Sequence, residues 1–100
     1  RELGKYEKRF IHSLGHGLGL EVHERPSISS SSKFSVMEGM YFTVEPGIYF
    51  PLRFGIRIED DILVENKKIK VLTDVPKSLV TVKPKAFKWP ALTKQHEKQI

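Results

Sequence analysis

Two alternating stretches constrain the fold of this chain more than any other feature of its sequence. Apolar side chains fall mainly on even-numbered positions in residues 40–45 and again in residues 56–64, and a period of two is typical of strands with one buried face. Residues 49–55 lie between these stretches and contain Pro51 and Gly55, which favour a turn. The sequence therefore predicts an antiparallel β-hairpin.

Short strands make up most of the remaining prediction. Alternation indicates a strand over residues 18–23 that is ended by Pro26. Further short strands are expected at residues 69–72 and 79–82, and residues 2–9 could finish a helix. The predicted fold class is α+β, with mainly antiparallel β-strands and little helix.

Composition excludes several classes of protein and of metal site. Hydrophobic residues make up 39% and charged residues 29% of the chain, which is typical of a soluble globular domain. No apolar run reaches the length of a membrane-spanning helix, so no membrane partner is expected. Because the chain contains no Cys, any metal must be held by His, Asp or Glu. The lack of Cys also fits a reducing compartment, and a cytoplasmic location is predicted.

Basic charge is concentrated near the C-terminal end. Residues 83–100 hold five Lys and one Glu, whereas residues 1–82 hold 12 Lys and Arg against 11 Asp and Glu. The chain is therefore divided into a domain of residues 1–82 and a basic C-terminal tail of residues 83–100. A solvated extension is the preferred interpretation of the tail, and binding to nucleic acid or to a membrane surface is the alternative.

The predicted hairpin has a consequence for two glutamates. If it is symmetric about Leu52, Glu45 faces Glu59 with Cβ atoms about 4.5–5.5 Å apart, and like charges in that position are destabilising. A divalent cation would relieve the repulsion, because each carboxylate can donate one or two oxygens to it. Arg57 lies on the same strand face as Glu59 and could supply part of the compensation. Alternatively, both carboxylates face water and Pro46 introduces a bulge that changes the register.

Three histidines form a second group of candidate site residues. His12, His16 and His23 fall within twelve residues, among glycines that allow backbone or substrate to approach closely. The spacing of the first two matches a helical zinc site, but Gly15 and Gly17 would break the helix that such a site needs. On spacing alone, metal or catalytic roles and ordinary surface histidines are equally consistent with the pattern.

Three motifs carry a resemblance to a known family. They are HSLGHGLGLEVHE at residues 12–24, TVEPGIY at residues 43–49 and GIRIEDD at residues 55–61. In this order they resemble the Xaa-Pro peptidases, aminopeptidase P and prolidase of metallopeptidase family M24, over about residues 10–82. The resemblance implies the C-terminal portion of a pita-bread (creatinase/aminopeptidase-like) fold, in which residues 1–82 are the C-terminal part of the catalytic domain.

The resemblance also implies a metal centre. Such enzymes hold two divalent ions, most often Mn or Co and alternatively Zn or Fe. His16 resembles the histidine ligand, Glu45 the first glutamate ligand and Glu59 the glutamate that bridges both ions. Glu45 is also the implied proton shuttle between the attacking water and the leaving nitrogen.

Three further residues take roles from the same resemblance. His23 resembles the histidine that stabilises the tetrahedral intermediate, and His12 resembles one that lines the substrate pocket. Arg57 resembles the basic residue that supports the bridging glutamate. His12, Glu45 and His23 are thus the implied catalytic residues.

The implied function is metal-dependent hydrolysis of peptide bonds that precede proline. The family's two aspartate ligands lie upstream of the histidine motif, and no Asp precedes His12, so a fragment that is inactive alone is expected. The expected partners are a peptide with an Xaa-Pro bond, the missing N-terminal half of the catalytic domain and a second copy in a homodimer, without nucleic acid. The alternatives are a non-catalytic pita-bread module that binds protein or nucleic acid and, less well matched, a methionine aminopeptidase.

Overall fold

The computed structural model describes residues 2–85 of the chain. These residues form one short 3₁₀-helix and seven short strands. The helix is Gly4–Arg9, and the strands are β1 (Gly15–Gly17), β2 (Glu24–Ile28), β3 (Tyr41–Val44), β4 (Gly47–Phe50), β5 (Phe54–Arg57), β6 (Asp60–Glu65) and β7 (Lys68–Val71). Among the described residues no helix is long and apolar enough to cross a membrane.

The strands form two antiparallel sheets. Five strands are arranged in the order β2-β1-β3-β6-β7, and β4 pairs with β5 in a separate two-stranded sheet. Paired residue numbers add up to 104 both in β3–β6, where Tyr41 faces Leu63, and in β4–β5, where Gly47 faces Arg57. The predicted hairpin and its symmetry about Leu52 are therefore confirmed, and the alternative of a register changed at Pro46 is wrong.

A small apolar core lies on one face of the five-stranded sheet. Phe42, Ile62 and Val64 are buried, and Phe42 lies directly opposite Ile62 in the β3–β6 ladder. All three are even-numbered, so the predicted buried face is correct. Partly buried Met40 and Ile28 pack against this cluster. Such a core orders the sheet that carries the histidine and glutamate motifs.

The predicted strand at residues 18–23 is wrong. This segment is a loop in which Leu20 is 105% and Val22 is 82% exposed. The strand lies earlier, at β1, whose Gly-His-Gly sequence carries no apolar alternation. Gly15 and Gly17 let β1 lie between its neighbours, because a Cβ at either position would collide with backbone of β3 or β2. Pro26 lies inside β2 and does not end an element.

Other boundaries also differ from the prediction. The single strand expected over residues 56–64 is divided between β5 and β6, because the ladder is interrupted at Ile58 and Glu59. The predicted turn at residues 49–55 is shorter, since the outer residues of that range belong to β4 and β5.

Near the ends of the described region, some predicted elements are present and one is absent. The strand at residues 69–72 is confirmed as β7, whereas residues 79–82 contain no strand. The helix end expected in residues 2–9 is the 3₁₀-helix. Most of the basic tail, residues 86–100, lies outside the described residues.

Candidate metal centre

His16 occupies the middle of β1, where two hydrogen bonds fix its orientation. Its backbone N–H donates to Thr43 Oγ1 at 3.0 Å, and its ring Nδ1 donates to the carbonyl of Gly17 at 2.9 Å. Because a carbonyl only accepts, the Nδ1 proton is engaged and Nε2 keeps a free lone pair. A carbonyl partner on one ring nitrogen is the usual arrangement for a metal-binding histidine.

Three potential ligand atoms meet where the two sheets join. His16 Nε2 lies 3.7 Å from Glu45 Oε2, and one ligand atom each from His16, Glu45 and Glu59 lie within 4.8 Å of one another. The side chains of His16 and Glu45 are 18% and 16% exposed, whereas Glu59 is exposed. The backbone N–H of Glu45 donates to the carbonyl of Leu14 at 2.6 Å, which ties the end of β3 to the chain entering β1.

The two carboxylates interact as the hairpin register predicts. Although Glu59 is exposed, partial desolvation raises its pKa, and the negative charge of Glu45 and a hydrogen bond with it raise this pKa further, while Arg57 opposes the shift. A carboxyl that ionises less readily beside another carboxylate marks a site that favours a cation. One imidazole nitrogen and two carboxylates suit Mn, Co, Fe or Zn. The residues present therefore fit one divalent ion.

His12 belongs to a hydrogen-bonded group beside this triplet. His12 Nδ1 donates to the carbonyl of Ser13 at 2.7 Å, so its Nε2 accepts from the Tyr49 hydroxyl, also at 2.7 Å. A hydrogen bond with Tyr49 raises the pKa of Arg57, and the negative charges of Glu45 and Glu59 add to the effect. Tyr49 thus lies beside both His12 and Arg57.

Sequence reasoning missed the role of Tyr49, although it lies within the motif at residues 43–49. Two glycines make room for its side chain. A Cβ on Gly47 would lie 2.5 Å from the Tyr49 hydroxyl, and a Cβ on Gly55 would lie 2.6 Å from its ring. The glycines that bracket the tyrosine on β4 and β5 were the available signal, because Gly in a strand often marks close approach of another group.

His23 reaches the site from the loop between β1 and β2. Its ring lies edge-to-face with that of His16, with centroids 4.6 Å apart and planes at 78°. Five of the six predicted site residues line one cavity of about 670 Å³: His12, His16, His23, Glu45 and Arg57. The sixth, Glu59, completes the ligand triplet.

The aspartates that follow Glu59 do not join this triplet. Asp60 accepts a hydrogen bond from the ammonium of Lys77 at 2.6 Å. Asp61 accepts a longer one, 3.4 Å, from the hydroxyl of Tyr41, and its backbone N–H donates to the hydroxyl of Thr73. Within residues 2–85 the ligand group thus consists of one histidine and two glutamates.

Comparisons with a family model and with known proteins indicate the same family. The model of metallopeptidase family M24 matches residues 1–66. The Xaa-Pro dipeptidase of Pyrococcus furiosus is 49% identical over 75 residues, which are 75% of this chain and 22% of that protein.

Solved structures agree with the sequence match. The prolidase of Thermococcus sibiricus is 47% identical with a TM-score of 0.76, over 81% of this chain and 22% of that one. The X-Pro aminopeptidase of Thermotoga maritima is 48% identical with a TM-score of 0.71, over 77% of this chain and 22% of that one.

The chain thus spans about a fifth of the length of these relatives. Its strands correspond to a portion of their pita-bread fold, and the expected fold class, mainly antiparallel strands with little helix, is confirmed. A match of the family model over 66 of the 100 residues, together with close relatives in sequence and structure, makes the chain a member of metallopeptidase family M24.

Proposed function

We propose that this chain contributes part of the active site of a metal-dependent peptidase that cleaves the bond preceding proline. The observation that carries the proposal is the meeting of His16, Glu45 and Glu59 ligand atoms within 4.8 Å. Relatives named as a dipeptidase and as an aminopeptidase are similar to the chain to almost the same degree. The proposal therefore covers both kinds of Xaa-Pro peptidase.

The proposed cofactor is a pair of divalent ions, Mn or Co with Zn or Fe as alternatives. Bound ions of this kind lower the pKa of water toward neutrality and polarise a peptide carbonyl. His16 Nε2, Glu45 and Glu59 would hold one ion and contribute to a second, whose remaining ligands come from outside this chain. The Nδ1–H of His16 donates to the Gly17 carbonyl, which orients the ring so that Nε2 faces Glu45.

Proton movement is assigned to Glu45. Its carboxylate lies at the edge of the ligand triplet and lines the cavity, so it can accept a proton from the attacking water and pass it to the leaving nitrogen. Glu59 faces it across the hairpin, and Arg57 balances part of the negative charge of both, since each raises the pKa of the guanidinium.

The two outer histidines are assigned to the substrate. His23 is exposed beside His16 and can donate a hydrogen bond to the oxyanion that develops on the scissile carbonyl. His12 lines the same cavity, with its ring held by Ser13 and Tyr49, and contacts the bound peptide. Neither histidine belongs to the ligand triplet.

A chimera tests the activity without depending on the isolated chain. The 75 matching residues of this chain would replace their counterparts in the Pyrococcus furiosus Xaa-Pro dipeptidase. Hydrolysis of an Xaa-Pro dipeptide and tripeptide would then be measured with added Mn²⁺. We expect hydrolysis that Glu59→Gln abolishes. Glu65→Gln is the matched control, because Glu65 is 52% exposed, lies near Lys70 and is at the end of β6 away from Glu59.

The same experiment separates the alternatives. A folded chimera that binds Mn²⁺ but hydrolyses neither peptide would refute the catalytic assignment and favour a non-catalytic binding module. The isolated chain is expected to bind Mn²⁺ weakly and to show no turnover, because its three ligands serve at most one ion fully. Turnover by the isolated chain would overturn the need for the rest of a peptidase. A homodimer and a cytoplasmic location stay predictions.

A further inference from the structure

The loop of residues 18–23 connects two site histidines, and its residues beyond Leu18 lack an apolar anchor. It starts after Gly17, which pairs with Glu24 across the β1–β2 ladder. Leu18 is partly buried where the loop leaves β1, whereas Leu20 and Val22 are 105% and 82% exposed. Apolar packing therefore does not fix the path of the loop beyond Leu18, although that path decides where His23 lies.

A single carboxylate supplies the missing anchor. Leu18 N–H donates to the carbonyl of Tyr41 at 3.2 Å where the loop starts. The other hydrogen bond of this loop among residues 2–85 runs from the backbone N–H of Glu21 to Glu24 Oε1, at 3.1 Å. The carboxylate of Glu24 turns back under the loop to reach that N–H.

Gly19 shows how closely the loop wraps around this carboxylate. A Cβ on Gly19 would collide with both oxygens and with the carboxyl carbon of Glu24. The φ angle of Gly19 is not in the left-handed region, so the glycine serves close approach and not an unusual backbone conformation. Glu24 thus contacts the loop at two points, beside Gly19 and at the N–H of Glu21.

His23 directly precedes Glu24 and depends on this arrangement. Within residues 2–85 its ring makes no hydrogen bond, and it packs edge-to-face on the ring of His16. An exposed aromatic pair of this kind contributes little more than about 1 kcal/mol. The β1–β2 ladder fixes the backbone directly after His23, at Glu24. The loop that precedes His23 needs a further anchor.

We propose that Glu24 is a positioning residue that holds His23 against His16, because its carboxylate fixes the path of the loop of residues 18–23. Its carboxylate lies beside the cavity but outside the ligand triplet. Its role is to accept from Glu21 and to fill the space beside Gly19. The importance of the position of His23 for catalysis rests on the proposed function, in which His23 contacts the substrate.

Nuclear Overhauser contacts between histidine rings test the proposal without an activity assay. The chain would be labelled at its histidines, and the contact between the rings of His16 and His23 would be measured in metal-free solution. We expect Glu24→Ala and Gly19→Ala to lose this contact. Glu24→Gln should retain it, because the amide oxygen can still accept from the N–H of Glu21.

Glu21→Ala is the matched control, since it removes a neighbouring carboxylate and keeps the backbone N–H that Glu24 binds. It should retain the ring contact. Persistence of the contact in Glu24→Ala, or its loss in Glu21→Ala, would overturn the proposal. Collapse of the amide signals of β3 and β6 in Glu24→Ala would overturn it as well, because the residue would then support the whole sheet.

Mn²⁺ binding is measured separately on the same variants. The ligand triplet is not touched by these substitutions, so affinity should change less than about twofold while the ring contact is lost. Absence of Mn²⁺ binding in the unaltered chain would count against the proposed function and leave the result on Glu24 standing. Failure of the proposed function and failure of the proposal on Glu24 therefore give different results.

Discussion

Thr43 is the most buried side chain among the described residues, at 1% exposure, and its hydroxyl accepts the backbone N–H of His16. Replacing Thr43 with Val keeps the shape of the side chain and removes this acceptor. An N–H left without a partner costs about 1–3 kcal/mol, and the lower part of that range applies because His16 is only partly buried. We therefore expect Thr43→Val to lower the free energy of unfolding by about 1 to 2 kcal/mol.

Thr43→Ser provides the comparison that isolates the hydrogen bond. It keeps the hydroxyl and removes one buried methyl group, which costs about 0.8 kcal/mol before any cavity contribution. Denaturant unfolding alone would not separate the two variants, since their expected losses are similar. The two variants are expected to differ in the position of His16. Only Thr43→Val removes the hydrogen bond to the His16 backbone N–H, which holds His16 where its Nε2 reaches Glu45.

Mn²⁺ binding is the measurement that distinguishes the variants. If a bound ion must restore the position of His16, the 1 to 2 kcal/mol reappears as a binding penalty, about 5- to 30-fold in Kd. Free Mn²⁺ measured by electron paramagnetic resonance during titration reports weak affinities directly. We expect weaker binding in Thr43→Val and nearly unchanged binding in Thr43→Ser. Equal affinities in the two variants would refute the positioning of His16 by the Thr43 hydroxyl.

Two further predictions concern the carboxylate pair and the tyrosine. The raised pKa of Glu59 means that the folded, metal-free chain holds this proton more tightly than the unfolded chain. The stability of the chain relative to Glu59→Gln should therefore fall as pH rises from about 4 through the raised pKa, and a flat or rising difference in denaturant unfolding would contradict this. Tyr49→Phe removes the donor to His12 Nε2 and should cost about 0.5–1.5 kcal/mol. It should also shift the ¹⁵N resonances of the His12 ring, and unchanged resonances would show that the bond does not form in solution.

The hairpin could be predicted because local and long-range signals agree. Alternation places Phe42 and Ile62 on one face, and the turn around Leu52 sets which residues oppose each other. With that register, the approach of Glu45 and Glu59 follows from the spacing of strands alone. Alternation and hairpin register are therefore sufficient to predict both the buried face and the carboxylate pair.

The strand that carries His16 could not be predicted in the same way. A Gly-His-Gly strand has no apolar face, and its place is set by backbone contacts with β2 and β3 that only the fold reveals. The apolar alternation at residues 18–23 was misleading, because Leu20 and Val22 are exposed and belong to a loop. For the same reason the anchoring contact of Glu24 had no sequence signal beyond its place after His23.

Glu45 and Glu59 lie opposite each other between the β3–β6 and β4–β5 ladders. The hairpin keeps the same register across this segment, but its backbone hydrogen bonding is interrupted there. Pro46 has no N–H to donate, so pairing stops there, and a single bond from Ile58 N–H to the Pro46 carbonyl crosses the gap at 3.2 Å. The ladders on both sides keep the two carboxylates opposed, while the interrupted segment between them is free of the spacing that a continuous ladder imposes. Repulsion between the glutamates is therefore confined to a segment that lacks a continuous ladder. In the proposed metal site, Pro46 would thus contribute by interrupting the ladder beside the two carboxylates.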